Sequence, residues 1–333
     1  MKKVVVDQNT LGLSKLKISS LGLGVWSSGV HSESETRKNT QAILHLYLDS
    51  GGNFIDTAAS YGNGLSETIL GDLLHSSKIR HRVVISTKAG ITYHDGRKVD
   101  MSSGAILAEL EGSLKRLKTD YVDLWQTHTW DSEHSIYETL IAFDKAVSSG
   151  KARYVGVSNY TGWQTALAYS IQKHSPGKPD LVSTQFEYSL LNRYVEREVL
   201  PFLGYTGIGL IAWSPLAGGV LTGKYLNGIP KSSRGDSEKW HYLVKPYLSS
   251  AFKPIMQLLR DITTQTGLSM EQVAILWLRN RAQISSILIG PNTLEQLKSL
   301  LKVNDLILDD LHLSQLDQAS NQFRFYNPRS EMI

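Results

Sequence analysis

Residues 54–67 read FIDTAASYGNGLSE. Phe54 and Ile55 belong to a short apolar run of strand character, and the run ends on a carboxylate, Asp56. Five positions later Tyr61 stands in a loop of glycine and asparagine, and a helical segment begins near Ser66. An acid at the end of a buried strand, with a phenol just above it, asks for an architecture in which strand ends line a working surface.

The rest of the chain supplies one. Apolar runs at 21–25, 53–57, 83–87, 122–126, 154–157, 181–185, 209–213 and 285–289 read as strands. Most are apolar throughout rather than alternating, as parallel strands covered on both faces should be. Amphipathic segments at 40–49, 103–117, 136–147 and 271–281 read as helices between them. The first carries Ile43, Leu44, Tyr47 and Leu48 on one stripe and is closed by Gly51-Gly52. Strand-helix alternation with right-handed crossovers predicts an α/β fold, a (β/α)8 TIM barrel spanning 1–333 as a single domain. Residues 10–18 read as an N-terminal β-hairpin that caps the barrel floor. A long polar loop, 221–246, follows strand 7, and uncommonly long loops are usually functional. After Asp317 a last helix should give way to a loose end carrying Phe323 and Tyr326. An open doubly wound sheet is the alternative, but LGLGVWSSG at 21–29 does not spell the glycine fingerprint that sheet requires.

Composition narrows the chemistry. The chain has no cysteine, which excludes disulfides and thiolate metal sites and is compatible with a cytoplasmic location. MKKVVVDQNT at the start has too short an apolar run for a signal-peptide core, and no segment is long and apolar enough for membrane insertion. The net charge of +4 is spread along the chain. Its densest patch, KIRHR at 78–82, reads as a solvated loop without a nucleic-acid motif, so nucleic acid is not an expected partner.

In a barrel, functional residues gather at the C-terminal strand ends. Read in order, those ends offer Asp56 with Tyr61, then Lys88, His128, Ser158-Asn159, Gln185 and Trp213-Ser214. Taken singly, each has an ordinary explanation: a cap, a surface aromatic, a solvated lysine, a core histidine. Together they make a proton-transfer group. A lysine ammonium beside a phenol favours the phenolate and lowers its pKa, a buried lysine needs a carboxylate partner, and a histidine can donate to a carbonyl oxygen gaining charge.

These residues resemble the aldo-keto reductase superfamily along nearly the whole chain. FIDTAASYGNGLSE, VVISTK, VDLWQTH, KARYVGVSNY and QFEYSLLNR each match a family segment. AWSPLAGGVLTGKY followed by GIPKSSR is most similar to the branch containing the β subunits of voltage-gated potassium channels. The resemblance implies a catalytic tetrad of Asp56, Tyr61, Lys88 and His128, with Tyr61 as proton donor. It implies NADPH/NADP+ as cofactor, its carboxamide held by Ser158, Asn159 and Gln185 and its nicotinamide stacked on Trp213. Val25 and Trp26 would lie near the nicotinamide and the substrate mouth. Ser214, Pro215, Leu216, Gly218, Leu221, Lys224 and Arg234 would form a belt over the pyrophosphate and adenosine side, with Gly290, Asn292 and Gln296 beyond. One departure stands out: where the family has Glu-Asn after Glu295-Gln296-Leu297 and one further residue, this chain has Ser299-Leu300. That removes adenosine contacts, while Lys224 and Arg234 still offer cations for a 2′-phosphate.

The implied activity is reduction of a small-molecule carbonyl substrate, an aldehyde or ketone, to an alcohol. Trp26, Tyr93, Trp130 and the loop around Trp240 are expected to shape its pocket. Three other readings stay open: a redox-sensing regulatory subunit, an NAD-linked sugar or alcohol dehydrogenase, and a metal-dependent hydrolase on the same barrel. No metal site is expected, since His128 is the one histidine placed at a C-terminal strand end. The substrate, the physiological direction and any homo-oligomer are not specified by the sequence.

Overall fold

The computed structural model describes residues 5–26, 33–93, 96–231 and 233–328. The first residues of MKKVVVDQNT and Ser27 to Gly29 of LGLGVWSSG lie outside these.

Among the described residues twelve strands follow in chain order: β1 (Gln8–Thr10), β2 (Lys17–Ser19), β3 (Leu21–Gly24), β4 (Phe54–Asp56), β5 (Val84–Ala89), β6 (Ile91–Thr92), β7 (Lys98–Val99), β8 (Val122–Thr127), β9 (Ala152–Ser158), β10 (Leu181–Glu187), β11 (Gly209–Trp213) and β12 (Ile284–Ile289). Eight of them, β3, β4, β5, β8, β9, β10, β11 and β12, close into a parallel barrel, with β12 pairing back onto β3. This is the (β/α)8 barrel the alternation predicts, and each barrel strand coincides with one of the apolar runs.

The β1–β2 hairpin is present, and its purpose is visible in the packing. Leu11 and Ile18 enter the barrel floor and join Phe54, Leu124, Val182, Ile211 and Leu288 in a separate apolar cluster. Gly22 makes room there: a Cβ on it would fall 2.6 Å from the Phe54 ring and 2.9 Å from Leu288. Above this plug the barrel interior turns polar, and above that lies the C-terminal mouth.

Helices pack around the strands. The first runs Glu33–Asp49, a good deal longer than 40–49, because its opening turns carry Glu33, Glu35, Arg37 and Lys38 and show no apolar stripe. Tyr47 on this helix is fully buried, and its hydroxyl donates to the carbonyls of Leu21 and Phe54 at 2.8 and 3.0 Å. Gly52 lies flat against that ring, where a Cβ would collide with it. The loop after β11 contains short 3-10 turns, among them Ala217–Thr222 and His241–Leu243, before the helix Lys253–Thr266.

Two surface readings change. Arg80 of KIRHR is not a solvated loop residue: it donates to Asp123, Thr119 and two backbone carbonyls and lies 4.2 Å over the Tyr121 ring. The tail is not loose at Phe323, which is buried, packs 4.6 Å from Phe252, and accepts the Arg193 amide proton on its carbonyl. Phe325 and Tyr326 beyond it are exposed.

Candidate active site

The strand register sets the site. Asp56 pairs with Ser86 across β4 and β5, Lys88 with Gln126 across β5 and β8, and Gln185 with Ser158 across β10 and β9. Interior side chains at these levels face one another across the barrel.

Asp56 and Lys88 form a buried ion pair, Nζ to Oδ2 at 2.6 Å, with each residue at most 2% exposed. Lys88 also donates to the Thr57 carbonyl at 2.7 Å. The other carboxylate oxygen of Asp56 accepts from Ser86 Oγ and from Gln185 Nε2, both at 2.9 Å. Gln126 donates in turn to Ser86 Oγ at 2.9 Å. Burial works against the Lys88 charge, but Asp56 and Tyr61 outweigh it and raise its pKa. A buried ammonium so partnered stays charged.

Tyr61 lies over this pair, its ring centroid 5.1 Å from Lys88 Nζ. Its ring meets that of His128 edge to face at 5.6 Å. The simple expectation that Lys88 lowers the phenol pKa holds only for one contribution. Burial raises it, Lys88 pulls it down, Asp56 opposes Lys88, and the net direction is upward. Tyr61 is therefore a neutral phenol that keeps its proton, the state a proton donor needs.

His128 is held well below its ordinary pKa by burial and then by the charges of Lys88 and Arg97. It is a neutral imidazole. Ser60 Oγ lies 3.3 Å from its Nδ1. The Ser60 hydroxyl can donate to Nδ1, the arrangement that leaves the ring proton on Nε2. The His128 carbonyl is tied by Asn159 Nδ2 at 2.9 Å, and Asn159 Oδ1 accepts from the Trp213 indole at 3.0 Å. One asparagine thus fixes the end of β8 to the ring that closes β11.

The residues expected around a cofactor are placed as follows. Ser158 has a buried hydroxyl with no hydrogen-bond partner, beside Asn159 and the partly exposed Trp213. An orphaned hydroxyl at a strand end fits an amide ligand. Beyond Trp213 the backbone is left-handed at Ser214, Ala217, Gly218 and Gly219, and the turn uses its own amides: those of Ala217 and Gly218 donate to the Ser214 carbonyl and hydroxyl. Pro215 and Leu221 are buried. Leu216 caps the turn by accepting from Gly219 and Leu221. Lys224 stands 5.1 Å over Tyr225, while the Arg234 guanidinium lies 4.7 Å over Trp26, so the two cations sit on different rings. Trp240 meets Trp26 edge to face at 4.7 Å, which brings the loop after β11 across to the end of β3. Val25, Trp26 and Asn292 line a common cavity of about 70 Å³. Gln296 accepts from the Asn292 amide at 2.8 Å, and Gly290, at the end of β12, has open space where a side chain would be.

Ser299 and Leu300 have structural partners instead. Ser299 bonds Glu271 and the Gln272 amide, and Leu300 is buried in the main core. Trp130 meets Tyr160 and Trp163 edge to face at 5.1 and 5.3 Å. Sequence reasoning missed Ser60, Ser86, Gln126 and Arg97. It also gave no role to Glu67, which closes FIDTAASYGNGLSE: fully buried, Glu67 binds Arg116 at 2.7 Å and Thr87 at 2.5 Å. Among the described residues no group of histidine and carboxylate side chains could hold a metal ion, and no helix is long and apolar enough to cross a membrane.

A closed parallel barrel with ionisable groups gathered at its C-terminal mouth is the frame of a (β/α)8 enzyme. A profile of the Aldo/keto reductase family matches residues 20–321, and the chain belongs to that family. It is 37% identical over 316 residues to L-glyceraldehyde 3-phosphate reductase of Escherichia coli (strain K12), covering 92% of this chain and 90% of that protein. It is 35% identical to the oxidoreductase YrpG of Bacillus subtilis (strain 168), covering 94% and 95% of the two chains. It is also 35% identical to a probable voltage-gated potassium channel subunit beta of Oryza sativa subsp. japonica, covering 91% and 92%. The family and these reductase relatives support an oxidoreductase acting on carbonyl compounds.

Proposed function

We propose that the chain reduces an aldehyde or ketone to an alcohol with NADPH, using Asp56, Tyr61, Lys88 and His128. The observation that carries this reading is the pairing of a neutral phenol and a neutral imidazole over one buried ion pair. When bound, the reduced nicotinamide supplies a hydride to the carbonyl carbon. His128 Nε2–H donates a hydrogen bond to the carbonyl oxygen and orients it. The Tyr61 O–H bond breaks as a new O–H bond forms on that oxygen, and the electron pair stays on the phenolate. Lys88 stabilises that phenolate, and Asp56, held by Ser86 from β5 and Gln185 from β10, keeps Lys88 in place.

Ser158, Asn159 and Gln185 are assigned to the carboxamide, and Trp213 to the face of the nicotinamide away from the substrate. The belt of Ser214, Pro215, Leu216, Gly218 and Leu221 is assigned to the pyrophosphate side. Lys224, Arg234, Asn292 and Gln296 are assigned to the 2′-phosphate and adenosine end, which favours NADPH over NADH. L-Glyceraldehyde 3-phosphate, named for the E. coli relative, is the first substrate to try.

Tyr61→Phe tests the assignment. Turnover should fall by roughly 10²–10⁴-fold, the usual range for a general acid, while NADPH still quenches tryptophan fluorescence. Turnover at the native rate would reject Tyr61 as donor. Equal affinity for NADPH and NADH would favour an NAD-linked dehydrogenase. Likeness to channel β subunits supports a second reading, a redox-sensing subunit; tight NADPH binding without turnover of any carbonyl compound would favour it.

A further inference from the structure

We propose that Arg97 receives an anionic group on the substrate, so that the site acts on aldehydes and ketones bearing a terminal phosphate or carboxylate. This rests on the carbonyl-reductase reading of the same site.

Strands β6 and β7 form a short hairpin that begins at Ile91, two residues after Ala89 and three after Lys88. Their pairing sets Ile91 opposite Val99 and Thr92 opposite Lys98. Side chains alternate between the two faces of a strand. Ile91 is buried and Val99 packs against the main core, so their face is the one turned to the barrel. Tyr93 and Arg97 directly follow and precede the paired residues Thr92 and Lys98, so both are held beside the end of β5, and both are exposed. The base of the hairpin is fixed. The Asp100 amide donates to the Gly90 carbonyl at 3.2 Å, the Gly90 amide to Glu109 at 2.9 Å, and the Met101 amide to Asp131 at 2.9 Å. A hairpin anchored in this way keeps Arg97 close to the C-terminal end of β5, the strand that carries Lys88.

Electrostatics agree with that placement. The Arg97 charge is felt at His128, and Tyr93 is felt at Tyr61. The charge of Lys88 is answered by Asp56, and Tyr61 and His128 are neutral. The positive charge that Arg97 brings is therefore not cancelled within the tetrad. Arg97 is exposed and can meet a ligand arriving from solvent. A guanidinium presents a planar fork that matches phosphate and carboxylate oxygens two at a time. With the carbonyl held at Tyr61 and His128, the fork addresses the far end of a small substrate.

Two matched pairs test this with the full chain and NADPH: glyceraldehyde against glyceraldehyde 3-phosphate, and benzaldehyde against 4-carboxybenzaldehyde. In the native protein kcat/KM should be higher for the charged member. In Arg97→Gln the charged-to-neutral ratio should fall about tenfold or more, the scale of a lost charge-assisted contact, through KM rather than kcat. Arg97→Lys should keep part of the ratio. A fall for the phosphate pair alone assigns a phosphate subsite, and a fall for the carboxylate pair a general anion subsite. An unchanged ratio in both pairs overturns the proposal. Absence of turnover with all four compounds would instead overturn the reductase reading. Arg97 is then tested by calorimetric titration of the NADP+-loaded protein with glyceraldehyde 3-phosphate: weaker binding in Arg97→Gln upholds the subsite, and equal binding removes it.

Discussion

Replacing Lys88 by methionine isolates the worth of the buried ion pair. Methionine is close to lysine in length and keeps the packing, but it withdraws the donor from Asp56 Oδ2, which Lys88 reaches at 2.6 Å. The two remaining donors to this carboxylate, Ser86 and Gln185, both bond Oδ1. Asp56 is only 2% exposed, so water does not replace the ammonium. Breaking a buried pair from one side costs about 3–5 kcal/mol, and the two retained hydrogen bonds place this case near the lower end. With an unfolding entropy of about 2.1 cal/mol/K per residue, a chain of 333 residues loses about 4 °C in Tm for 3 kcal/mol. Asp56→Asn added to Lys88→Met removes the stranded charge and should recover about half of the loss. Thermal unfolding followed by circular dichroism on the native chain, both single variants and the double variant gives the coupling directly. If Lys88→Met melts within about 1 °C of the native chain, or if the double variant is no more stable than Lys88→Met, the ion pair is not what holds the centre of the mouth.

Two further outcomes follow from the same coordinates. The His128 pKa is lowered in the fold, so its contribution is present above the ordinary histidine value of about 6.5 and is lost as pH falls toward the folded value. At pH 5.5 the native chain should be less stable than at pH 7.5 by about 1 kcal/mol more than His128→Gln is, as read from urea midpoints; equal pH dependence in the two would show that His128 is not held neutral. Gly52→Ala should cost about 1–3 kcal/mol because its methyl meets the Tyr47 ring, whereas Gly104→Ala, in a helix with open space around it, should be neutral or stabilising in the same melting assay.

The barrel was legible because short, largely apolar runs recur between helical segments and polar turns; the apolar run VAILWL at 273–278 is told apart as helix by the longer segment around it. The grouping of Asp56, Tyr61, Lys88 and His128 was legible for a related reason: Asp56, Lys88 and His128 are ionisable groups at the ends of such runs. The support beneath them was not. Ser86 and Gln126 sit inside strands, where a single polar residue in an apolar run gives no hint of which neighbour it bonds. Ser60 lies within FIDTAASYGNGLSE itself, but a serine in a loop is too common to announce a contact with His128, which is 68 residues away. The direction of the Tyr61 shift also escaped the sequence, because residue types predict the attraction of Lys88 but not the depth of burial that opposes it. Hairpin β6–β7 was invisible at two residues per strand.

The chain of contacts from Gln126 through Ser86 to Asp56, and from Asp56 to both Lys88 and Gln185, crosses β8, β5, β4 and β10. The carboxylate we propose as an anchor of the reaction is also a rivet between strands far apart in the chain. Natural selection acting on abundance alone would therefore preserve Asp56, even in a descendant that had given up catalysis. In such a lineage the loss should be sought first at Tyr61 or His128, which lie above the rivet.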